Sequence, residues 1–140
     1  MCATEQLYRT NTQGKQNMIN SQREAETKLM KGLLDFIVLQ FLDAQPMHGY
    51  QVITKIRKSF GVYFGPSTIY PLLNSLEKKG YVQSQWNMNT ERPRKVYNLT
   101  KEGQNVLSFT EDSFNIICKK ITTPAADEDM TVESTRTVHH

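Results

Sequence analysis

The densest run of apolar residues in the chain lies between positions 33 and 42, and it predicts the central helix of the fold. Leucine, isoleucine, valine and phenylalanine fill nearly every position, and Asp35 is the only acidic residue in the run. A helix that is apolar on almost every side is buried within its domain. The run is also far shorter than the roughly 20 residues that cross a bilayer. We therefore predict a buried helix over residues 30 to 42 and no membrane span.

Two shorter segments with helical periodicity follow. The first predicts a helix over about residues 48 to 60, ended by Gly61. The second opens at Gly65 and Pro66, a cap followed by proline at the first helical position, and extends to residue 79. Its apolar residues recur at i, i+3, i+4 and i+7, namely Ile69, Leu72, Leu73 and Leu76. The opposite face is polar and mostly small, and consists of Ser67, Pro71, Asn74 and Lys78.

Alternating residues then predict two strands, over residues 81 to 88 and 94 to 99. The connector between them, residues 89 to 93, is rich in turn-forming residues and makes the pair a β-hairpin. Three cations stand at or near its tip: Arg92, Arg94 and Lys95. Trp86 lies on the first strand, and we expect it to pack within the hairpin.

The last predicted helix begins after Thr100, a suitable N-cap, and reaches residue 121. Its apolar positions include Leu107, Phe114 and Ile121, which are seven residues apart, and Ile117, which follows Phe114 by three. This row of apolar side chains, called the dimer seam below, is longer than one small core can cover. It therefore predicts that this helix pairs with a partner helix in a dimer.

The order of three helices, a hairpin and a final helix predicts a mainly α fold with a small β-hairpin, organised as a winged helix-turn-helix. We predict a DNA-binding domain over residues 30 to 99 and a C-terminal dimerisation helix over residues 100 to 121. Residues 1 to 29 are polar and predict a flexible arm that is helical from about residue 18. Residues 122 to 140 begin Thr-Thr-Pro and turn acidic, which predicts a disordered tail.

The net charge of +3 hides an uneven distribution. Residues 55 to 101 contain nine Lys or Arg against Glu77 and Glu91, a local charge of +7 that the acidic C-terminal segment masks. A basic window in a compact domain suits a polyanionic partner. In a helix-turn-helix the second helix lies in the major groove, and a basic hairpin reaches the adjacent backbone or minor groove. The DNA-binding candidates are Ser67, Thr68, Tyr70, Asn74, Lys78, Arg92, Arg94 and Lys95.

Enzymatic and metal-dependent chemistry finds little support in the residues. The sequence has no glycine-rich phosphate loop, and Cys2 and Cys118 lie too far apart for a short-spaced metal motif. His48 has no second ligand at a suitable spacing, so we expect a structural role at the start of its helix. We predict no catalytic residues, no metal and no cofactor. The N-terminus lacks the features of a signal peptide, which predicts the cytoplasm.

Over residues 31 to 120 the chain resembles the PadR-like transcriptional regulators. Five strings in the family's order carry the resemblance: Met47-His48-Gly49-Tyr50; Thr68-Ile69-Tyr70-Pro71-Leu72-Leu73; Leu76-Glu77-Lys78-Lys79-Gly80-Tyr81-Val82; Arg92-Pro93-Arg94-Lys95-Val96-Tyr97; and Leu99-Thr100-Lys101-Glu102-Gly103. The resemblance implies a winged-helix fold, a homodimer through the C-terminal helix and repression of nearby promoters. Two positions depart from the usual pattern, because Glu91 stands where a glycine is common and Asn74 where Lys or Arg is common.

Two functions other than DNA-binding regulation are compatible with a small helical domain. A winged helix can instead dock a protein of the transcription or replication machinery, but a neutral wing and an apolar groove helix would favour that function, and neither occurs here. An enzyme lacks a convincing nucleophile and base among these residues. The predicted partners are double-stranded DNA, a second copy of the chain and, between the last helices of the dimer, a small hydrophobic effector that nothing in residues 106 to 121 identifies.

Overall fold

The computed structural model describes residues 2 to 123, with side chains described from residue 11. The element order is α1 (Cys2–Ala44), β1 (Met47–His48), α2 (Gly49–Phe60), α3 (Pro66–Lys78), β2 (Val82–Asn87), β3 (Arg94–Leu99) and α4 (Lys101–Thr122). The predicted mainly helical fold with a small antiparallel sheet and a C-terminal helix is confirmed. Among residues 2 to 123, no helix combines the length and apolar character needed to cross a membrane.

The core forms where α1, α2 and α3 meet. Val38 of α1, Val52 and Ile56 of α2, and Ile69 and Leu73 of α3 are inaccessible to solvent. Val38 lies in the apolar run, and Ile69 and Leu73 lie on the apolar stripe, that the sequence predicts as buried. Because aliphatic side chains from all three helices share one contact region, packing sets the orientation of α3 relative to the other two helices.

The first helix begins much earlier than predicted. Residues 2 to 29, expected to be an arm with helix only from about 18, are helical and continuous with the buried part of α1. From residue 11 to residue 29 the side chains are exposed, apart from the partly covered Thr27. Once the buried segment has formed, each added residue extends an existing helix and avoids the unfavourable nucleation step. The polar, weakly periodic composition of this stretch therefore did not prevent helix formation.

The sheet contains one strand that the sequence did not predict. β1 pairs antiparallel with β3 through Met47 opposite Tyr97 and His48 opposite Val96, and the strand order is β1-β3-β2. Two residues are too few to show a period of two, so the pattern carried no signal for this strand. Its effect is to attach the start of α2 to the hairpin of β2 and β3, called the wing below.

The last helix packs on its own chain at one end and is exposed at the other. Leu107 belongs to the core, so this residue of the predicted dimer seam has no free surface for a partner. Phe114 stacks on Phe36 of α1 with ring centroids 5.6 Å apart. By contrast, Ile117 and Ile121 are 54% and 77% exposed. The predicted acidic tail, residues 122 to 140, lies outside the described residues except for its first two positions, of which Thr122 ends α4.

Candidate nucleic-acid interface

The outer face of α3 is formed by the residues that the sequence predicts for it. Helix α3 starts at Pro66 after Gly65, and its buried side holds Ile69, Leu73 and Leu76 while Leu72 is partly covered. Because side chains on the remaining arc point away from the core, the outer face is solvent-accessible. Its exposed candidates are Ser67, Thr68, Tyr70, Asn74 and Lys78.

Tyr70 lies at the edge of this face and packs on Gly49, the first residue of α2. A Cβ atom on Gly49 would lie 2.5 Å from Cε1 of Tyr70, so a side chain at position 49 would displace the ring. The tyrosine is 40% exposed. It therefore has one covered face and one accessible face, the arrangement expected of an aromatic residue beside an interface.

Two of the three predicted wing cations contact residues outside the hairpin. Nη1 of Arg94 lies 2.9 Å from Nε2 of His48. Nζ of Lys95 lies 3.9 Å from Oε2 of Glu77 in α3 and 5.7 Å from the ring centroid of Tyr97. The wing is therefore joined by charged contacts to the start of α2 and to α3.

Arg92, the third cation, is exposed at the turn between β2 and β3. The hydroxyl of Thr90 donates to the backbone carbonyl of Arg92 at 2.6 Å, which shapes the turn. Glu91, the departure from the usual family pattern, is also exposed there. Arg92 and Glu91 thus both face solvent at the turn, and only the positively charged Arg92 would attract a polyanion.

His48 caps α2, which confirms its predicted structural role. Its Nδ1 accepts from the backbone N–H of Gln51 at 3.3 Å, and the Gln51 side chain accepts from the His48 N–H at 3.0 Å. Arg94 approaches the other ring nitrogen, and both groups around the ring can only donate. Since a neutral imidazole has one accepting nitrogen, Arg94 and Gln51 compete for it. Partial burial and the Arg94 charge lower the pKa of His48 below its ordinary value of 6.5.

Glu77 connects α3 to both strands of the wing. The hydroxyl of Ser84 donates to Oε1 of Glu77 at 2.6 Å, while Oε2 faces Lys95. Burial, the Glu77 carboxylate and Tyr70 raise the pKa of the nearby Tyr97 above its ordinary value of 10.0. The phenol therefore stays protonated near neutral pH. Glu77 thus links α3 to the wing through one hydrogen bond and one ion pair.

A cleft of about 540 Å³ lies between α3, the wing and the start of α2. It brings together candidates from separate parts of the sequence. Its lining consists of His48, Gly49, Tyr50, Tyr70, Asn74, Trp86, Arg92, Pro93, Arg94, Lys95 and Tyr97. Ser67, Thr68 and Lys78 of α3 lie outside this lining.

Trp86 does not lie where the sequence predicts. We expected it to pack within the hairpin, but it is 63% exposed and lines the cleft. It pairs across the sheet with Lys95 and shares a strand face with Val82 and Ser84. Side chains alternate between the two faces of a strand, so Val82, Ser84 and Trp86 share one face of β2. Because α3 packs against that face, the alternation could have predicted that Trp86 lies on the side of α3.

The part of the chain in the structure offers little for catalysis or metal binding. Within the described residues no three His, Cys, Asp or Glu side chains form a group that could hold a metal ion. Cys118 is a free thiol, partly exposed on α4. The chemistry concentrated in the cleft and on α3 is that of cations, hydrogen-bonding groups and aromatic rings, which suits binding of a polyanion.

Several solved structures are similar to this one. A PadR family transcriptional regulator from Eggerthella lenta shares 30% sequence identity with a TM-score of 0.62, covering 76% of this chain and 87% of that chain. A transcriptional regulator from Clostridium thermocellum shares 25% identity with a TM-score of 0.63, covering 70% and 98%. A PadR family regulator from Clostridium difficile shares 25% identity with a TM-score of 0.59, covering 64% and 94%. No curated protein matches the chain.

The sequence itself also matches a family model. Residues 38 to 108, half of the chain, match the model described as the transcriptional regulator PadR-like family. The matched segment contains α2, α3, the wing and the first turns of α4. Regulators of this family are DNA-binding proteins and not enzymes. This chain belongs to the PadR-like family of transcriptional regulators and is a winged-helix, DNA-binding transcription regulator.

Proposed function

We propose that the protein is a homodimeric repressor that reads a pseudo-palindromic site in double-stranded DNA in the cytoplasm. One observation carries the proposal: the exposed face of α3 and the cationic wing border the same cleft. An α-helix fits the major groove, which is about 12 Å wide. With α3 in that groove, the wing lies beside the adjacent backbone or minor groove.

The outer face of α3 supplies the groups that would read base edges. Asn74 can form a bidentate pair with adenine, and Ser67 and Thr68 offer hydroxyls to bases or phosphates. Lys78, near the end of the helix, and the hydroxyl of Tyr70 suit backbone phosphates. All five side chains are exposed, so binding requires no rearrangement of the core.

The wing supplies positive charge for the backbone. Arg92 is exposed at the turn, and Arg94 and Lys95 line the cleft. Cations that neutralise phosphates release condensed counterions, which makes the affinity depend on salt and gives little dependence on sequence. The wing thus orients the protein on the duplex while α3 discriminates between bases.

The second half of α4 supplies the proposed dimer surface. Ile117 and Ile121 are exposed beyond the part of α4 that the core covers, and Phe114 is half-buried at the boundary. Leu107 is left out of this surface because its own chain buries it. A two-fold dimer would place two copies of α3 about 34 Å apart, one turn of DNA. A small hydrophobic effector would enter between the paired helices.

The test is selection of bound duplexes from a random pool, followed by affinity and mass measurements on the selected site. We expect a pseudo-palindrome, a dimer in solution and reduced transcription in vitro from a promoter that carries the site. Ile117→Glu with Ile121→Glu should give a monomer with much weaker binding, whereas the control Gln104→Glu, at another exposed position on α4, should not.

Two results would contradict the proposal. Absence of duplex binding at about 50 mM salt, where the phosphate contribution is strong, would exclude the DNA-binding mode proposed for α3 and the wing. A stable protein partner found in its place would favour the interaction-module alternative. A monomeric wild type that binds a single half-site with full affinity would contradict the homodimer alone.

A further inference from the structure

We infer that the cleft between α3 and the wing seats one sugar–phosphate strand of the duplex, with the Trp86 indole packed on a deoxyribose. This assignment rests on the proposed function, since it requires α3 to lie in the major groove. It adds a contact residue, Trp86, and names the chemical group that this residue meets.

The path of the strand follows from the shape of DNA. The major and minor grooves are separated by one sugar–phosphate backbone on each side. If α3 occupies the major groove and the wing reaches the adjacent minor groove, the backbone between those grooves must pass between α3 and the wing. The cleft occupies that place in the structure, with Tyr70 and Asn74 on the α3 side and Trp86 on the wing side.

The lining of the cleft matches the chemistry of a nucleic-acid backbone. Arg94 and Lys95 provide positive charge, and Trp86 and Tyr70 provide flat apolar surface. A backbone alternates anionic phosphates with largely apolar deoxyriboses, so it presents both kinds of group at short intervals. A cleft that carried only cations would leave the sugar without a partner.

Trp86 is unusually exposed for the largest apolar side chain of the domain. It is 63% exposed, although Ser84 and Tyr97 on the same face of the sheet are covered to a greater extent. In a duplex the faces of the bases are stacked on one another and unavailable unless a base is flipped out. The face of the indole therefore meets a sugar more readily than a base.

Arg94 is held where a phosphate of the same strand would lie. Its guanidinium has five N–H donors, and the contact with His48 at 2.9 Å engages one end of the group. The remaining donors are free to meet phosphate oxygens. Because the guanidinium is already restrained, less side-chain entropy is lost when it binds. A phosphate contact by Arg94 and a sugar contact by Trp86 would then grip consecutive groups of one strand.

The chain contains a single tryptophan, so its fluorescence reports on this cleft alone. We expect the emission of Trp86 in the full-length protein to shift or be quenched when the selected duplex saturates it. Trp86→Ala should weaken binding by about fivefold or more, the loss expected for part of an indole burial. Trp86→Phe should restore much of that loss, because phenylalanine keeps a flat apolar ring.

Three comparisons separate a sugar contact from other roles. Trp86→Ala should weaken all duplexes equally and leave the salt slope unchanged, because no charge is removed. Removing single bases from the duplex while keeping their sugars should leave the penalty for Trp86→Ala intact at every position. Met18→Ala, at another exposed apolar residue, which lies on α1, should bind like the wild type. Thermal unfolding of each variant measures any change in folding.

The inference is overturned if Trp86 emission is unaffected at saturation, or if Trp86→Ala binds the duplex like the wild type. A penalty that vanishes when one base is removed would show a base contact instead. If benzoate, as a planar aromatic anion, shifts the emission while duplex does not, the cleft is a small-molecule site. Failure of the wild type to bind any duplex would instead contradict the proposed function itself.

Discussion

Helix α3 and the wing face the same cleft but differ in how their polar side chains are held. In the described part of the chain, no hydrogen bond or ion pair engages the side chains of Ser67, Thr68 or Asn74 on α3. On the wing, Arg94 contacts His48 and Lys95 contacts Glu77. These three side chains of α3 therefore form no hydrogen bond or ion pair with the rest of the protein, whereas two wing cations are held by residues of other elements.

In the proposed binding mode, this difference separates the two tasks of a sequence-specific DNA-binding protein. Exposed side chains that form no hydrogen bond or ion pair within the chain can be exchanged without disturbing the core, so the base preference could change independently of the fold. Arg94 and Lys95 are held by residues of other elements, so in that binding mode they would dock on the backbone in the same way for every sequence. Asn74, which departs from the usual family pattern, lies on this exposed face of α3.

The largest effect should come from removing the support that both surfaces share. Leu73 is inaccessible in the core beneath α3, and Leu73→Ala should lower the free energy of unfolding by about 2–5 kcal/mol. Urea denaturation followed by circular dichroism measures this loss. Ser67→Ala on the outer face of α3 should stay within about 0.5 kcal/mol of the wild type. Equal losses in the two variants would mean that the outer face is not independent of the fold.

A base-specific effect should follow from a change on α3. Asn74→Ala should reduce discrimination at one base-pair position by about 1–3 kcal/mol and leave the other positions and the salt slope unchanged. Competition binding with all single-substitution duplexes measures this pattern. Gln104→Ala, at an exposed position of α4, is the matched control. Uniform weakening across the duplex set would place Asn74 on the backbone.

A sequence-independent effect should follow from a change on the wing. Arg94→Ala should weaken binding to all duplexes and reduce the slope of log K against log salt by about 0.9, the value for one phosphate contact. Titrations between about 50 and 200 mM salt measure the slope. Lys119→Ala, in the last turn of α4, should leave it unchanged. A loss at one base pair only would assign Arg94 a reading role.

The smallest effect should appear in the dependence of stability on pH. The folded protein holds the pKa of His48 below 6.5, so the unfolded chain binds a proton more readily. Stability should thus be constant above that pH and fall as the pH drops through 6.5 toward the lowered value. Protonated His48 can accept from neither Arg94 nor the N–H of Gln51. Urea midpoints at about pH 7.5 and 5.5 measure the change.

The matched variants for this measurement are available in the chain. His48→Gln keeps an accepting group at the start of α2 but cannot titrate, so it should flatten the fall. Replacing His139 and His140 with glutamine removes the two other histidines and should leave the fall in place. If the fall in stability persists in His48→Gln, other titrating groups cause it.

The five strings that carry the family resemblance contact one another in the structure. Gly49 packs on Tyr70, Arg94 contacts His48, and Lys95 contacts Glu77 of the string that ends α3. The hydroxyl of Thr100 donates to the carbonyl of Gly80 at 2.6 Å. Strings that are distant in sequence thus form one network around the cleft. The resemblance indicated that these residues belong together but not which of them touch.

Sequence patterns alone predict the helices α2 to α4, the two long strands, the buried stripe of Ile69 and Leu73, and the cap at Thr100. Each depends on periodicity or capping within a few residues, and such signals are readable along the chain. Sequence patterns did not predict the short strand β1, the burial of Leu107 or the contacts of the wing cations. They also did not predict that Trp86 faces the cleft. These features arise where elements from distant parts of the chain pack together. Local sequence patterns do not show which distant residues come into contact.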